Sequence, residues 1–317
     1  MSKILNLKEH FCGTFQQKQL STPCDLEVHR GTDGKIYLID FSRLMPPENP
    51  HTNKSYYFYF YLFFYFSIYC FRKTKFSYLY ELLRPELVRE YKVPLSSDAF
   101  SRFSSHSQEN KINNNEIKEA TNYLFDTVIP KFSFSLLNSF EKSENSLIHF
   151  NLTNMLHNKG INIRMIFRVV ESLCSLKQKM VEKSSAIDDL VVLLFCEMIA
   201  RILKIQTRKI FRKRMKELRS PVEEPFITIF LDFLNVVFGN NQTSEKFWVE
   251  SIPKKICQKF CCHINNFDFV SNTLFIELKK KIFSRWSFHF ANKSYPVDIV
   301  FKRLKGNSIF NFLDNFY

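Results

Sequence analysis

Near the N-terminus hydrophobic and polar residues alternate in two short runs, residues 25–30 and 35–41, and a period of two is the signature of a strand. Between the runs stands Gly31-Thr32-Asp33-Gly34, and an Asp-Gly pair in that position predicts a β-hairpin. Pro46-Pro47 end it. If Asp33-Gly34 forms a two-residue turn, Arg30 faces Tyr37, Val28 faces Ile39, Leu26 faces Phe41, His29 faces Leu38 and Glu27 faces Asp40. One face then carries Leu26, Val28, Tyr37, Ile39 and Phe41 and is expected to enter the core. The other carries Asp25, Glu27, His29 and Asp40.

Beyond the hairpin the period lengthens to that of a helix. Leu79, Leu82, Leu83, Leu87 and Val88 predict a helix over residues 75–89, and the Ser- and Asn-rich stretch 96–115 reads as a loop. Helices are then predicted over 116–125, 132–140, 147–157, 163–181, 188–218, 224–238, 244–252 and 254–262. Gly160 falls where the residue after a helix C-cap belongs. The fold class is α+β, an N-terminal β-hairpin region followed by a mainly α-helical body. The chain divides into a hairpin part over 1–50, an aromatic insert over 51–76, a helical part over 77–265 and an unassigned extension over 266–317.

The predicted helix 188–218 separates its residues by face. Arg201, Lys204, Arg208, Arg212 and Lys216 recur at steps of three and four, widened by Lys209, Lys213 and Arg214. Ile199, Leu203, Phe211 and Met215 fall on the other side. Forty-five lysines and arginines against 31 acidic residues leave a net charge of +14. That excess points to an anionic partner such as RNA or a membrane surface. A basic helix face is either a solvated surface or a nucleic-acid footprint, and both readings stand.

Residues 56–71 form an uninterrupted aromatic run. It admits three readings: a membrane span, an edge strand or hairpin insert, and translated non-coding sequence. A membrane partner is expected only on the first. Eight cysteines at irregular spacings fit a reducing compartment, and a cytoplasmic location with free thiols is expected. Cys257, Cys261, Cys262 and His263 have metal-ligand residue types but lack the paired spacing of a structural zinc site.

On the acidic hairpin face, Glu27 opposite Asp40 would repel unless a cation intervened. Arg43, Arg30 or the distant Arg164 would supply one in an ion network. The sharper alternative is a divalent-metal or phosphate-handling site built from Asp25, Glu27, His29 and Asp40, serving a phosphotransferase. No Gly-rich phosphate loop, nucleophile elbow or HExxH accompanies it. A non-enzymatic protein without a cofactor is therefore expected.

Asp25, Glu27, His29, Gly31, Asp33, Gly34, Tyr37, Asp40, Arg43, Pro46 and Pro47, with the acidic residue that follows them, resemble the signature of the Clu domain of clustered-mitochondria proteins. Residues 83–88 and 94–100 resemble the segments that follow it. His157, Gly160, Asn162 and Arg164 lie in a box similar to that family's LHxxGINxRYLG, which departs here at Met165-Ile166-Phe167. The lead-in at residues 5–10 resembles the family too, so the chain is expected to begin inside the domain, without the ubiquitin-like region before it or the tetratricopeptide repeats after it. The resemblance implies a role in mitochondrial distribution, binding of messenger RNAs for mitochondrial proteins, and association with ribosomes or translation initiation factor three.

Overall fold

The computed structural model describes residues 2–13, 15–50, 81–142, 151–217 and 242–260, together with 79, 229 and 232–237. The aromatic run 56–71, most of the predicted 224–238 helix, the cysteines beyond Cys257 and the extension 266–317 lie outside the described residues. Two compact units divide the chain, Met1–Ile187 and Asp188–Tyr317.

The first unit opens with a one-turn helix α1 (Ser2–Leu5) and two antiparallel strand pairs. Strand β1 (His10–Cys12) pairs with β2 (Lys18–Leu20), and β3 (Glu27–Arg30) pairs with β4 (Ile36–Ile39). The β3–β4 pair is the hairpin expected from the alternation, but its register differs by one residue. Glu27 faces Ile39, Val28 faces Leu38, His29 faces Tyr37 and Arg30 faces Ile36. The cause is the turn. The Gly34 amide donates to the Gly31 carbonyl at 3.0 Å, Gly34 takes φ of 78°, and the Gly31 amide donates to the Lys35 carbonyl at 2.8 Å. This is a three-residue loop with its left-handed glycine last, and the extra residue moves the pairing by one.

A one-residue slip exchanges the faces of a strand pair. The expected core face is not buried: Val28 is 63% exposed, and Tyr37, Ile39 and Phe41 are exposed too, as is Ile36 at 73%, which the observed register brings to the Val28 face. Strands this short, with solvent on both sides, owe their order to the turn and to the chain leaving β4 more than to packing.

Backbone pairings instead tie the ends of the hairpin region to the helical part of the unit. Leu7 bridges Leu95, Gly13 bridges Ser104, and Pro47 bridges Leu82. The segment after the hairpin is held as extended chain, with the Glu48 amide on the Glu81 carbonyl at 2.7 Å and the Leu83 amide on the Pro46 carbonyl at 2.9 Å. The helix predicted over 75–89 is therefore confined, among the described residues, to α2 (Pro85–Glu90). Proline favours the first helical position and pushes Arg84 before it into the extended region. The last carbonyls of α2 are capped from afar, since the Asn6 side-chain amide donates to Val88 and Tyr91, each at 2.9 Å.

The predicted loop 96–115 is half helix. Residues 107–123 form α3 (Ser107–Tyr123), with Asn113 and Ile117 buried. Its polar exposed face hid the period. A π-turn over Leu124–Val128 joins α3 to α4 (Ile129–Lys142) without a break. The sequence reading ended one helix at Phe125 and began the next at Phe132, with Pro130 between them. The wider π-turn relieves the clash of the proline ring with the preceding turn and leaves its missing amide harmless. Helix α5 (Leu152–Asn158) ends at Gly160, whose φ is 71°. The Gly160 amide donates to the His157 carbonyl and the Ile161 amide to the Leu156 carbonyl, a left-handed C-terminal closure. A β-carbon on Gly160 would stand 2.6–2.8 Å from the Leu87 backbone and β-carbon, so only glycine permits this approach of the α5 turn to α2.

A short 3₁₀ turn leads into α6 (Ile166–Lys179), where Phe167 is buried in place of the glycine usual in the resembling box. Helices α4 and α6 pack together, and Phe132, Leu136, Leu137, Phe140, Val169, Val170 and Leu173 form the core of the unit. Helix α7 (Ser184–Glu217) supplies most of the described part of the second unit. Helices α8 (Gln242–Lys246) and α9 (Ile252–Lys259) follow, joined by a second π-turn ahead of Pro253. Trp248 is buried there and donates its indole N–H to the Val237 carbonyl. Among the described residues no helix is long and apolar enough to cross a membrane.

Candidate functional site

Helix α7 changes character along its length. In its first half Leu190, Leu194, Phe195, Met198, Ile199, Ile202 and Leu203 are buried. After Thr207 the buried positions stop: Arg208, Lys209, Arg212, Lys213, Arg214 and Lys216 are exposed, with Ile210 and Phe211 half-buried. Arg201 and Lys204, at the border, are half-buried. Arg201 donates to Glu197 one turn earlier at 2.7 Å, and Arg214 stands 3.8 Å from Glu217. An exposed helix pair such as Arg214–Glu217 is worth a few tenths of a kcal/mol, roughly, and leaves the Arg214 guanidinium available to a stronger anion.

The stripe is wider than its sequence spacing indicated. On α9, Lys255 stands close enough to Lys209, and to its neighbour Lys254, for their charges to act on it. Partial burial lowers the Lys255 ammonium below its ordinary value, and the neighbouring charges of Lys209 and Lys254 lower it further. Lysines whose charges repel one another across two helices form a local positive field that an anion would relieve. The α9 lysines were missed because their nearness to Lys209 depends on tertiary structure.

The acidic hairpin face does not assemble as the metal alternative requires. Glu27 and His29 pair with each other at 2.9 Å on the exposed strand. Asp40 turns into the left-handed region, φ 61°, where it accepts from the Ser42 amide and hydroxyl and starts a short 3₁₀ turn. Asp33 and Tyr37 bond to each other at the hairpin tip, 2.8 Å apart. Asp25 instead faces Arg43 at 2.9 Å. The four residues of the proposed site thus serve three separate local structures, and Glu27 opposes Ile39 rather than Asp40.

What the signature residues do assemble is a set of buried ion pairs. Arg43, 3% exposed, places its other guanidinium nitrogen 2.7 Å from Asp98, and its charge lies over the Phe103 ring. Asp98 also receives the Cys24 amide at 2.9 Å, the Cys12 thiol at 3.2 Å and a ring nitrogen of His10 at 3.1 Å. Burial opposes its ionisation, but the bonds from His10 and Cys12 prevail and hold its carboxyl below the ordinary value. Arg164, from the second motif box, pairs with Glu48 directly after Pro46-Pro47 and with Glu81 at 3.5 Å. The hairpin signature, the 94–100 segment and the Asn162-Arg164 box are thus joined in space, although 60 or more residues separate some of them. Asn162 caps the 3₁₀ turn that presents Arg164.

The participation of His10, Cys12, Cys24 and Asp98 was not legible as a site. The usable signal was the spacing of His10 and Cys12, which places both on one face of a strand.

A hairpin region clamped to an α-helical body by the Clu-type signature residues defines the class. The family model for clustered mitochondria proteins matches residues 1–50, so this region is a partial Clu domain. The family model described as translation initiation factor eIF3 subunit 135 matches residues 149–308, just over half of the chain, and the chain belongs to that family. No curated protein and no solved structure matches it.

Proposed function

We propose that this chain is a non-enzymatic, cytoplasmic module that serves translation of messenger RNAs for mitochondrial proteins and mitochondrial distribution, and that it holds RNA on the second half of α7. The observation that carries this reading is the run of exposed cations from Arg208 to Lys216, joined by Lys254 and Lys255. Membership in an initiation-factor family supports a partner in the translation apparatus, either the initiation factor three complex or the ribosome. The Clu match supports the mitochondrial side. Arginine and lysine spaced along one helix contact phosphates. They provide affinity through counterion release without reading sequence.

The test is the salt dependence of single-stranded RNA binding. Each phosphate contact contributes a slope of roughly 0.7 in the logarithmic plot, so replacing Arg208, Arg212 and Lys216 with glutamine should flatten it by about 2. Affinity should fall alike for all RNA sequences, with the circular dichroism spectrum unchanged. Unaltered affinity and slope in a folded variant would mean that the stripe is only a solvated face.

A further inference from the structure

Three lone-pair-bearing atoms of different kinds converge in the first unit: His10 Nε2, Cys12 Sγ and Asp98 Oδ2. All lie within 4.8 Å of one another, and the carboxylate oxygen stands 3.1 Å from the nitrogen and 3.2 Å from the sulfur. The ligand edges of a tetrahedral zinc site span about 3.3–3.8 Å, given bonds of about 2.0–2.3 Å. The two edges at the carboxylate oxygen, 3.1 and 3.2 Å, lie just below that range, so small side-chain shifts would place these atoms at three corners of a zinc tetrahedron. All three side chains are buried.

The surroundings are those of a ligand set. His10 Nδ1 stands 3.0 Å from the Lys8 carbonyl, an acceptor that takes its proton and directs Nε2 into the cluster. Arg43 binds the other oxygen of Asp98 at 2.7 Å, which turns Oδ2 toward His10 and Cys12. The guanidinium charge is itself matched by Asp25. Both nitrogens of His10 face acceptors, so without a metal the ring satisfies them only as an imidazolium, and Cys12 only as a thiol.

We propose that His10, Cys12 and Asp98 bind one zinc ion, which fastens β1 to the segment around Asp98. The exchange balances. Zinc enters with two positive charges, His10 gives up its Nε2 proton and Cys12 its thiol proton, and the net charge of the buried cluster is unchanged. Burial and the Asp98 carboxylate push the Cys12 thiol up, and the Cys24 thiol is likewise pushed up to about 12. As a ligand, Cys12 must give up its proton, so zinc uptake at this site releases protons and strengthens as pH rises. A mixed sulfur, nitrogen and oxygen set suits zinc better than magnesium or calcium, which favour oxygen alone.

The full chain, stripped with a chelator, is titrated with cobalt(II) and then with zinc(II). The expected result is one equivalent of cobalt bound with a thiolate charge-transfer band, displaced by zinc, lost in Cys12→Ser and retained in Cys257→Ser. A folded chain that takes up no cobalt would overturn the proposal, as would a band that survives Cys12→Ser and disappears in Cys257→Ser. Should Cys12→Ser fail to fold, X-ray absorption on the unsubstituted zinc-loaded chain decides. A first shell mixing sulfur with nitrogen or oxygen supports the site, and a shell of sulfur alone or without sulfur refutes it.

Discussion

Replacing Arg43 with methionine would leave the buried Asp98 carboxylate without its guanidinium and Asp25 without its partner. Removing one member of a buried pair costs about 3–5 kcal/mol, because the remaining charge stays desolvated and uncompensated. Urea unfolding should show a loss of that size for Arg43→Met, whereas a change below about 1 kcal/mol would mean that the cluster is solvated on opening. At the hairpin tip the logic is gentler. Bonds from the Tyr37 hydroxyl and the Lys35 amide hold the exposed Asp33 carboxyl below its ordinary 3.8. A depressed carboxyl stabilises the fold above its unfolded value, and that contribution disappears as pH falls through the folded value. The Tyr37 ring resonances should therefore move toward their disordered positions only below pH 3.8. A Tyr37 signal that does not respond to acid would contradict the bond.

At the scale of elements, the hairpin was legible from alternation and its Gly-Thr-Asp-Gly tip, but its register was not. An Asp-Gly pair serves both two-residue and three-residue turns, and the difference of one residue decides every facing pair. Alternation also implied a buried face that the fold does not provide: Val28, Tyr37, Ile39 and Phe41 are exposed, and so is Ile36, which the observed register sets beside Val28. Exposed positions respond weakly to substitution, so Val28→Thr with Ile36→Thr should shift unfolding by no more than about 0.5 kcal/mol. A loss above about 2 kcal/mol would show that this face is covered after all. Helix α3 was hidden for the opposite reason: its polar surface looked like a loop, and Asn113 is the one residue of its first half that is buried, ahead of Ile117, Ala120 and Thr121. Pro130 and Pro85 show why proline misleads. One sits after a π-turn that tolerates it, the other at a first turn that favours it. The end of α5 at Gly160 was readable because a left-handed C-terminal residue leaves a glycine in the sequence.

For the whole molecule, the excess of cations was visible from composition, and helical spacing placed eight of the 45 lysines and arginines on α7. The addition of Lys254 and Lys255 required the fold, because no periodicity links α9 to Lys209. The joining of Arg43 to Asp98 and of Arg164 to Glu48 was equally invisible, although the motif residues themselves were named from resemblance. The most direct measurement of the central claim is photocross-linking of the full chain to single-stranded RNA, followed by identification of the modified peptides. The account predicts adducts on peptides covering residues 208–217 and 254–259, which disappear as salt is raised. Adducts confined to Met1–Ile187, or adducts on the α7 and α9 peptides that persist at high salt, would contradict it.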